Sequence, residues 1–417
     1  MRWESATTRF FQLTELMFER QPQRKISHPT CSLSHNVKRI YTPVHCVRNS
    51  TGSLKLLSAL LFSPFEVAAE GPVLARSGNC LNVAFELVAN LSFEDLKPLT
   101  ALATSNHVIQ RSFKPLRQCF EVQGRIQSAE WVANAVEREH ERIDHALGFL
   151  EQVCTKLEEA GLPVTVIKSL DHWPDLGSDL DLYTDAKPAN VIDLMTSHFR
   201  AKLAHRSWGD KMANKWNFIV PGLPELVEIH ICRLGQTGEQ TAVTRPLVAR
   251  ARMKQVGRHR FRVPAPEEQI VISTLQRMYR HFYIRLCDIV DNAGLVESQL
   301  VDFVHLRSLG SRTGLWDGIA TYLWLISEYV ERYREAPVPL PSFVTDAARF
   351  ALDSVYFRRD FLRVPIVPYS LSLYMSELKV LLLNGQLSDG FRLSLLPCLA
   401  TAAALEQKIT GSDKGIW

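Results

Sequence analysis

The spacing of apolar and polar residues divides the chain into helical regions around a short strand-rich region. Between residues 129 and 160, apolar side chains recur every three or four positions, which predicts a long amphipathic helix ending at Gly161. Between residues 164 and 232, short runs rich in Val and Ile alternate with Gly and Pro, which predicts strands joined by turns. Helical spacing returns from Pro266 onward. The pattern predicts an α+β fold, with a small mixed sheet in an α/β core and helical regions on both sides.

Four segments follow from this pattern. We predict a flexible basic extension over residues 1–55, a helical region over 56–160, the sheet core over 161–265 and a helical C-terminal domain over 266–417. The extension is rich in Lys and Arg and carries one short predicted helix, Thr8–Glu19. Further helices are predicted in the last segment at Leu315–Tyr333, Phe343–Tyr356, Leu371–Leu383 and Phe391–Ile409.

Within the core segment, residues 164–185 predict two strands separated by a polar turn. Val164–Ile167 is a short β-prone run, and an extended pattern resumes from Asp179 to Tyr183. Side chains in a strand point alternately to opposite faces, so Asp179 and Asp181 share one face. Two carboxylates on one face predict a platform for a divalent cation such as Mg²⁺, which prefers oxygen ligands. A charged edge strand that faces water is the alternative.

A third acid comes from a predicted hairpin downstream. The runs Trp216–Val220 and Leu226–Cys232 are joined by a short loop rich in Pro and Gly. In the second run aliphatic residues alternate with polar ones, so Glu228 and His230 share a face. If this strand lies beside the one that carries the aspartates, Glu228 joins them. Three carboxylates can hold two cations about 4 Å apart, as two-metal phosphoryl chemistry requires.

The order of these motifs resembles the nucleotidyltransferase superfamily that includes DNA polymerase beta. The motifs are K-S-x(9)-D-L-D-L, beginning at Lys168, then a helix, then a hairpin bearing V-E-I-H at residues 227–230. More narrowly, the chain is similar to an uncharacterised bacterial nucleotidyltransferase family whose core reads L-K-G, SD-I-D-L and V-E-L-H. The resemblance covers residues 90–295, because Leu91–Leu116 and Gly257–Leu286 look like that family's flanking segments.

The resemblance implies a nucleotidyltransferase-type sheet and the transfer of a nucleoside monophosphate from an NTP to a hydroxyl acceptor. It implies that Asp179, Asp181 and Glu228 are catalytic and hold two Mg²⁺ ions. One ion would bridge the phosphates of the NTP, and the second would lower the pKa of the acceptor hydroxyl. The residues that it suggests for nucleotide binding are Lys168, Ser169, Ser178 and Lys215.

The sequence departs from the superfamily at the turn before the acids. A Gly-Gly or Gly-Ser pair usually stands there, where the backbone approaches the triphosphate, and glycine permits this because it has no Cβ. This chain has Lys168-Ser169, or Ser169-Leu170 if the narrower family is the guide. The Ser169 hydroxyl would instead cap the turn and reach a phosphate. The departure motivates an alternative function, a non-catalytic protein that holds a nucleotide or a partner on the same fold.

Composition adds little to this picture. The chain has 417 residues and a net charge of +4, which does not indicate a dedicated nucleic-acid binder. A cluster of cations over residues 245–262 is either a phosphate-neutralising site or the outward face of a hairpin. The eight cysteines lack zinc-site spacing, which predicts free thiols in a reducing cytoplasm.

The sequence does not predict a membrane partner. No uninterrupted apolar run reaches the ~18–20 residues that span a bilayer. Ser53–Ala69 comes nearest and predicts an amphipathic or buried helix. The acceptor stays open among a sugar, an antibiotic, a tRNA end and a protein side chain, and neither the NTP nor the oligomeric state is indicated.

Two other enzyme classes also use a D-x-D motif. A glycosyltransferase would need a nucleotide-binding α/β region upstream, where residues 56–160 are predicted to be helical. A phosphatase of the D-x-D-x-T type would need a threonine where Tyr183 stands. Both classes therefore fit the sequence less well than nucleotidyl transfer.

Overall fold

The computed structural model describes residues 50–62, 79–334 and 336–399. Residues 1–49, which include the predicted helix Thr8–Glu19, lie outside the described residues. The described part contains a five-stranded mixed sheet, a three-stranded sheet and a two-stranded sheet, with flanking helices. The predicted α+β class is therefore confirmed.

Helices precede the central sheet, as the apolar spacing predicts. Helix α1 begins at Ser50 and buries Leu54, so the helical region starts inside the segment that the sequence assigned to the extension. The longest helix, α5, buries Ile143 and Leu147 on its predicted face. Gly161, with φ +70°, adopts the left-handed conformation that ends many helices. The bounds are α1 Ser50–Phe62, α2 Asn79–Ala89, α3 Leu96–Ser105, α4 Ile109–Val122 and α5 Ile126–Glu159.

The central sheet contains five strands in the order β1-β2-β5-β4-β3. Strands β2 and β5 are parallel, and the other neighbours are antiparallel. A parallel pair needs a long crossover, which here contains two helices and two further strands. The bounds are β1 Val164–Val166, β2 Asp179–Thr184, α6 Pro188–Ser197, β3 Lys202–Leu203, α7 Trp208–Met212, β4 Lys215–Ile219 and β5 Leu226–Ile231.

The two faces of the central sheet pack against different cores. Leu180, Leu182 and Ile229 are fully buried and share one core with the apolar face of α5. Burying each such side chain stabilises the fold by about 2 kcal/mol. Tyr183, on the opposite face of β2, belongs to a second core built from N-terminal and C-terminal helices. The face that carries Asp181 is therefore covered by the helical regions rather than open to solvent.

The remaining described chain is mostly helical, with two small β elements. Strands β6 and β7 form an antiparallel ribbon. Helix α9 continues into a π-helical segment, Leu275–His281. The predicted helices Leu315–Tyr333 and Leu371–Leu383 correspond to α12 and α14. The bounds are α8 Thr241–Ala249, β6 Arg252–Val256, β7 His259–Val263, α9 Pro266–Thr274, β8 Tyr283–Ile284, α10 Leu286–Glu297, α11 Phe303–Thr313, α12 Trp316–Arg334, α13 Ser342–Thr345, β9 Tyr356–Arg358, β10 Phe361–Arg363, α14 Leu371–Leu383 and α15 Leu387–Ser394.

The predicted helix Phe343–Tyr356 is wrong. This stretch contains the short helix α13, a 3₁₀ turn at Leu352–Ser354 and the first residue of β9. Strand β9 pairs with β10, and β10 also pairs with β8, with Leu362 opposite Ile284. Pairing with β10, which is held in turn by the distant strand β8, overrides the local helical spacing, because the sheet supplies the backbone hydrogen bonds and the packing.

The end of the described chain differs from two expectations. The helix predicted to begin at Phe391 begins earlier, at Leu387, and residues 400–409 of that prediction lie outside the described residues. Among the described residues, the helical stretch Ile366–Leu383 is 18 residues long and apolar enough to cross a membrane by length and composition. Glu377 and Lys379 lie within this stretch.

Candidate active site

Three carboxylates meet on one face of β2 and β5. Asp181 and Glu228 occupy opposed positions in the parallel register of these strands. Asp179 precedes Asp181 by two residues, so it projects from the same face. Burial, together with the charges of Glu228 and Asp181, raises the pKa of Asp179 to about 6. The structure thus brings together the three acids that the sequence singled out.

Two lysines lie beside these acids. Lys168 forms an ion pair with Asp181. Burial opposes ionisation of Asp181, but the charge of Lys168 outweighs it and holds the pKa of that carboxyl well below its usual range. Lys215 Nζ lies 3.1 Å from each carboxylate oxygen of Glu228. Both lysines predicted to bind phosphate are therefore in the site, each paired with a carboxylate.

In the turn after β1, a non-glycine residue adopts a backbone conformation that glycine favours. Lys168 has φ 61°, the left-handed conformation that costs a non-glycine residue about 1–2 kcal/mol. The buried hydroxyl of Ser169 accepts a hydrogen bond from the Asp181 N–H at 2.7 Å and donates one to the Asp179 carbonyl at 3.1 Å. The hydroxyl that the sequence assigned to phosphate is thus engaged by β2. Ser178 is exposed and donates to Asp179 Oδ2 at 3.3 Å.

Two residues in the site received no role from the sequence. His230 lies two positions after Glu228, and its Nε2 is 3.5 Å from Asp181 Oδ1. Burial and the charge of Lys168 lower the pKa of this imidazole to about 3, so the ring is neutral. Asp210 of α7 lies 3.0 Å from the ammonium of Lys215. Strand alternation already placed His230 beside Glu228, but the approach of α7 is a tertiary contact with no local signal.

The clustered donors fit a divalent cation. One ligand atom from each of Asp181, Glu228 and His230 lies within 4.8 Å of the other two. Carboxylate oxygens suit Mg²⁺, and a neutral imidazole nitrogen suits transition metals. A cation bound here would replace Lys168 as the partner of Asp181.

A cleft adjoins the acids. Lys168 and His230 belong to its lining. Tyr279 and, from α14, Leu371 and Tyr374 line it as well, so much of its wall is apolar. The cleft therefore reaches Lys168 and His230, the two residues that lie against Asp181.

A buried ionic network anchors the loop between β1 and β2. Arg111 of α4 lies 2.9 Å from Asp175 in this loop and 2.5 Å from Asp291 of α10. His172, also in the loop, contacts Asp291 through Nδ1 and lies 3.8 Å from the Cys287 sulfur through Nε2. Helices on both sides therefore hold the loop that leads into Asp179.

The cation cluster over residues 245–262 does not converge on the acids. Arg250 pairs with Glu267 at 2.6 Å and with Glu268 at 3.3 Å, and Lys254 donates to the Leu170 carbonyl at 2.6 Å. In the turn of the β6–β7 ribbon and along β7, the arginines Arg258, Arg260 and Arg262 are exposed. This arrangement agrees with the alternative of a hairpin with a basic outer face.

The site as a whole combines three clustered carboxylates, two lysines and an adjoining cleft. Such groups can hold metal ions and neutralise phosphate charge, and the lysines can exchange a carboxylate partner for a phosphate one. Comparisons with protein-family models, with curated proteins and with solved structures found no match for this chain.

Proposed function

We propose that the chain is a metal-dependent nucleotidyltransferase of the DNA polymerase beta-like superfamily, which moves a nucleoside monophosphate from an NTP to a hydroxyl acceptor. The observation that carries the proposal is the register of β2 and β5, which sets Asp181 directly opposite Glu228 while Asp179 shares their face. Carboxylates so arranged hold divalent cations for an in-line displacement at phosphorus.

The acids and the lysines of the site would have different roles. Asp179, Asp181 and Glu228 hold the divalent cations, with two Mg²⁺ ions as the expected cofactors. When bound, the cations neutralise the triphosphate and lower the pKa of the acceptor hydroxyl. Lys168 and Lys215 transfer their hydrogen bonds from carboxylates to phosphate oxygens, which places positive charge where negative charge develops. Pyrophosphate leaves, and Glu228 would act as the general base for the acceptor hydroxyl if only one cation binds.

The alternative is a protein that binds a nucleotide without turnover. It is favoured by the ion pairs of Lys168 with Asp181 and of Lys215 with Glu228, since the acids are already neutralised by the chain itself. In that case the lysines alone would bind phosphate. The absence of glycine at Lys168-Ser169 also favours this alternative.

The proposed partners are an NTP and a hydroxyl-bearing acceptor whose identity the site does not specify. We place the protein in the cytoplasm, because free thiols persist in a reducing compartment. Free cysteines in the described part of the chain are Cys119, Cys154, Cys232, Cys287 and Cys398.

The test supplies each α-³²P-labelled NTP with Mg²⁺ and a cell extract, and measures both labelled product and released pyrophosphate. We expect transfer by the wild-type protein and none by Asp181→Asn. Asp185→Asn is the matched control, because Asp185 is exposed and follows the same strand. Circular dichroism establishes that both variants are folded. Wild-type turnover by Asp181→Asn would refute the assignment, and calorimetric ATP binding without pyrophosphate release would support the alternative.

A further inference from the structure

His230 is a buried imidazole without a hydrogen-bond partner. The residue is 4% exposed, and neither ring nitrogen makes a hydrogen bond to any residue that the structure describes. The distance from Nε2 to Asp181 Oδ1 is 3.5 Å, which is longer than a normal hydrogen bond. Buried polar atoms almost always have a partner because leaving them unpaired is costly. An unpaired imidazole at this position therefore points to a ligand.

The neighbours of His230 indicate what that ligand is. On β5 it shares a face with Glu228, and Glu228 is directly opposite Asp181 on β2. One donor atom from each of the three lies within 4.8 Å of the others, which is the size of a single cation site. The strand pleat fixes these directions, so the three side chains converge without rearrangement of the backbone.

We propose that His230 is the third ligand of a metal centre formed with Asp181 and Glu228, and that this centre selects a divalent transition metal such as Mn²⁺ over Mg²⁺. Mg²⁺ takes oxygen ligands, whereas an imidazole nitrogen favours first-row transition metals. The inference rests on the proposed function, since it names the metal of the same reaction centre. Asp179 lies outside this set of donor atoms and is left for a second cation or for substrate.

Another group of possible metal ligands lies among the described residues, but both nitrogens of its histidine are already paired. His172, Cys287 and Asp291 also lie within 4.8 Å of one another. There, both nitrogens of His172 have partners, whereas neither nitrogen of His230 has one among the described residues. That group is a satisfied network, so it serves as a control rather than as a second candidate.

The test measures metal binding without nucleotide. Mn²⁺ is titrated into the metal-free protein, and its affinity is read from the loss of the free-ion electron paramagnetic resonance signal. Mg²⁺ is then added as the competitor. We expect pulsed spectra of bound Mn²⁺ to show ¹⁴N coupling from a coordinated imidazole. Mg²⁺ should compete only at concentrations at least about tenfold higher.

Variants assign the coupled nitrogen. His230→Gln should remove the ¹⁴N coupling and weaken Mn²⁺ binding by about tenfold or more. His172→Gln should retain both. Lys168→Met should strengthen Mn²⁺ binding, since Lys168 no longer competes for Asp181. Circular dichroism is recorded for each variant, and the wild-type spectrum decides the matter if His230→Gln does not fold.

The outcomes separate this inference from the proposed function. Bound Mn²⁺ without nitrogen coupling, unchanged affinity in His230→Gln, or equal affinity for Mg²⁺ would overturn the inference. If Mg²⁺ supports nucleotidyl transfer but bound Mn²⁺ shows no nitrogen coupling, the proposed function is supported and the inference about His230 is refuted. A nitrogen-coupled Mn²⁺ centre in a protein that shows no nucleotidyl transfer would support the proposed metal centre and refute the proposed function.

Discussion

The hydroxyl of Ser169 bridges the backbone of β2, since it accepts from the Asp181 N–H at 2.7 Å and donates to the Asp179 carbonyl at 3.1 Å. Ser169 is 2% exposed, so neither backbone group has ready access to water in its absence. The bridge ties the turn after β1 to the strand that carries the aspartates. A residue that the sequence assigned to phosphate binding therefore also holds the site together.

Ser169→Ala should lower the free energy of unfolding by about 1–2 kcal/mol, because it leaves a buried backbone N–H without its acceptor. Urea denaturation measures the change. Ser178→Ala, at an exposed position in the same loop, should change that free energy by less than about 0.5 kcal/mol. Equal effects of the two substitutions would show that the bridge does not stabilise the turn.

Arg111→Met should destabilise the protein strongly. The substitution removes the ion-pair partner of Asp175 and one of the two partners of Asp291, and breaking a buried ion pair costs about 3–5 kcal/mol. Chemical denaturation followed by circular dichroism measures the loss.

The matched control for Arg111 is Arg117→Met, on the same helix. Arg117 pairs with Glu121 at 2.7 Å, but the two side chains are 52% and 45% exposed. Such a surface pair contributes less than about 1 kcal/mol. Comparable losses in the two variants would contradict a structural role for the buried network.

The stability of the protein should depend on the ionisation of Glu377. Burial, reinforced by Glu239, raises the pKa of Glu377 well above its ordinary value, although a hydrogen bond from Gln240 opposes the shift. The folded state therefore holds this proton more tightly than the unfolded state. The resulting contribution to stability is present at pH values below the ordinary carboxyl pKa and is lost as pH rises toward the raised one.

Glu377→Gln removes the titrating group and keeps an acceptor for the Gln240 amide, which donates to Oε1 in the native protein. We expect the variant to melt above the wild type at about pH 8 and near it at about pH 4. Thermal unfolding at several pH values checks this. Glu130→Gln, at an exposed position of α5, is the matched control. A constant offset between Glu377→Gln and wild type across pH would contradict the prediction.

Gly314 should tolerate no side chain. It ends α11 with φ +75°, and a methyl group on it would lie 2.8 Å from the Glu377 Cα and 2.9 Å from its carbonyl oxygen. Gly314→Ala therefore adds a clash with the backbone of α14 to the conformational cost, and we expect a loss of about 3 kcal/mol or more in the free energy of unfolding.

Gly124 supplies the comparison for Gly314. It also has a left-handed backbone, with φ +67°, but a methyl group there would meet no atom within 4 Å. Gly124→Ala should cost only the conformational term, about 1 kcal/mol. If denaturation gives the same loss for both alanine variants, then α14 does not pack closely against the end of α11.

The sequence predicted those features of the candidate site that depend only on local backbone geometry. Alternation along a strand placed Asp179 and Asp181 on one face, and Glu228 and His230 on one face, because side-chain direction in a strand depends only on the next few bonds. The same local reasoning was wrong for Phe343–Tyr356. There, helical spacing exists in the sequence, but pairing with β10, which is held in turn by the distant strand β8, imposes an extended end.

By itself the sequence determined the α+β class, the long helix that ends at Gly161 and the strand faces on which the acids lie. Each of these depends on apolar periodicity or on the conformational freedom of single residues. Only the tertiary structure decided that Asp181 faces Glu228, that Lys168 and Lys215 pair with these acids, and that His230 is buried with no hydrogen-bond partner among the described residues. Those relations depend on which strands become neighbours in the sheet. The strand order is set by the free energy of packing, here the burial of the β2 leucines beneath α5, and not by any local sequence pattern.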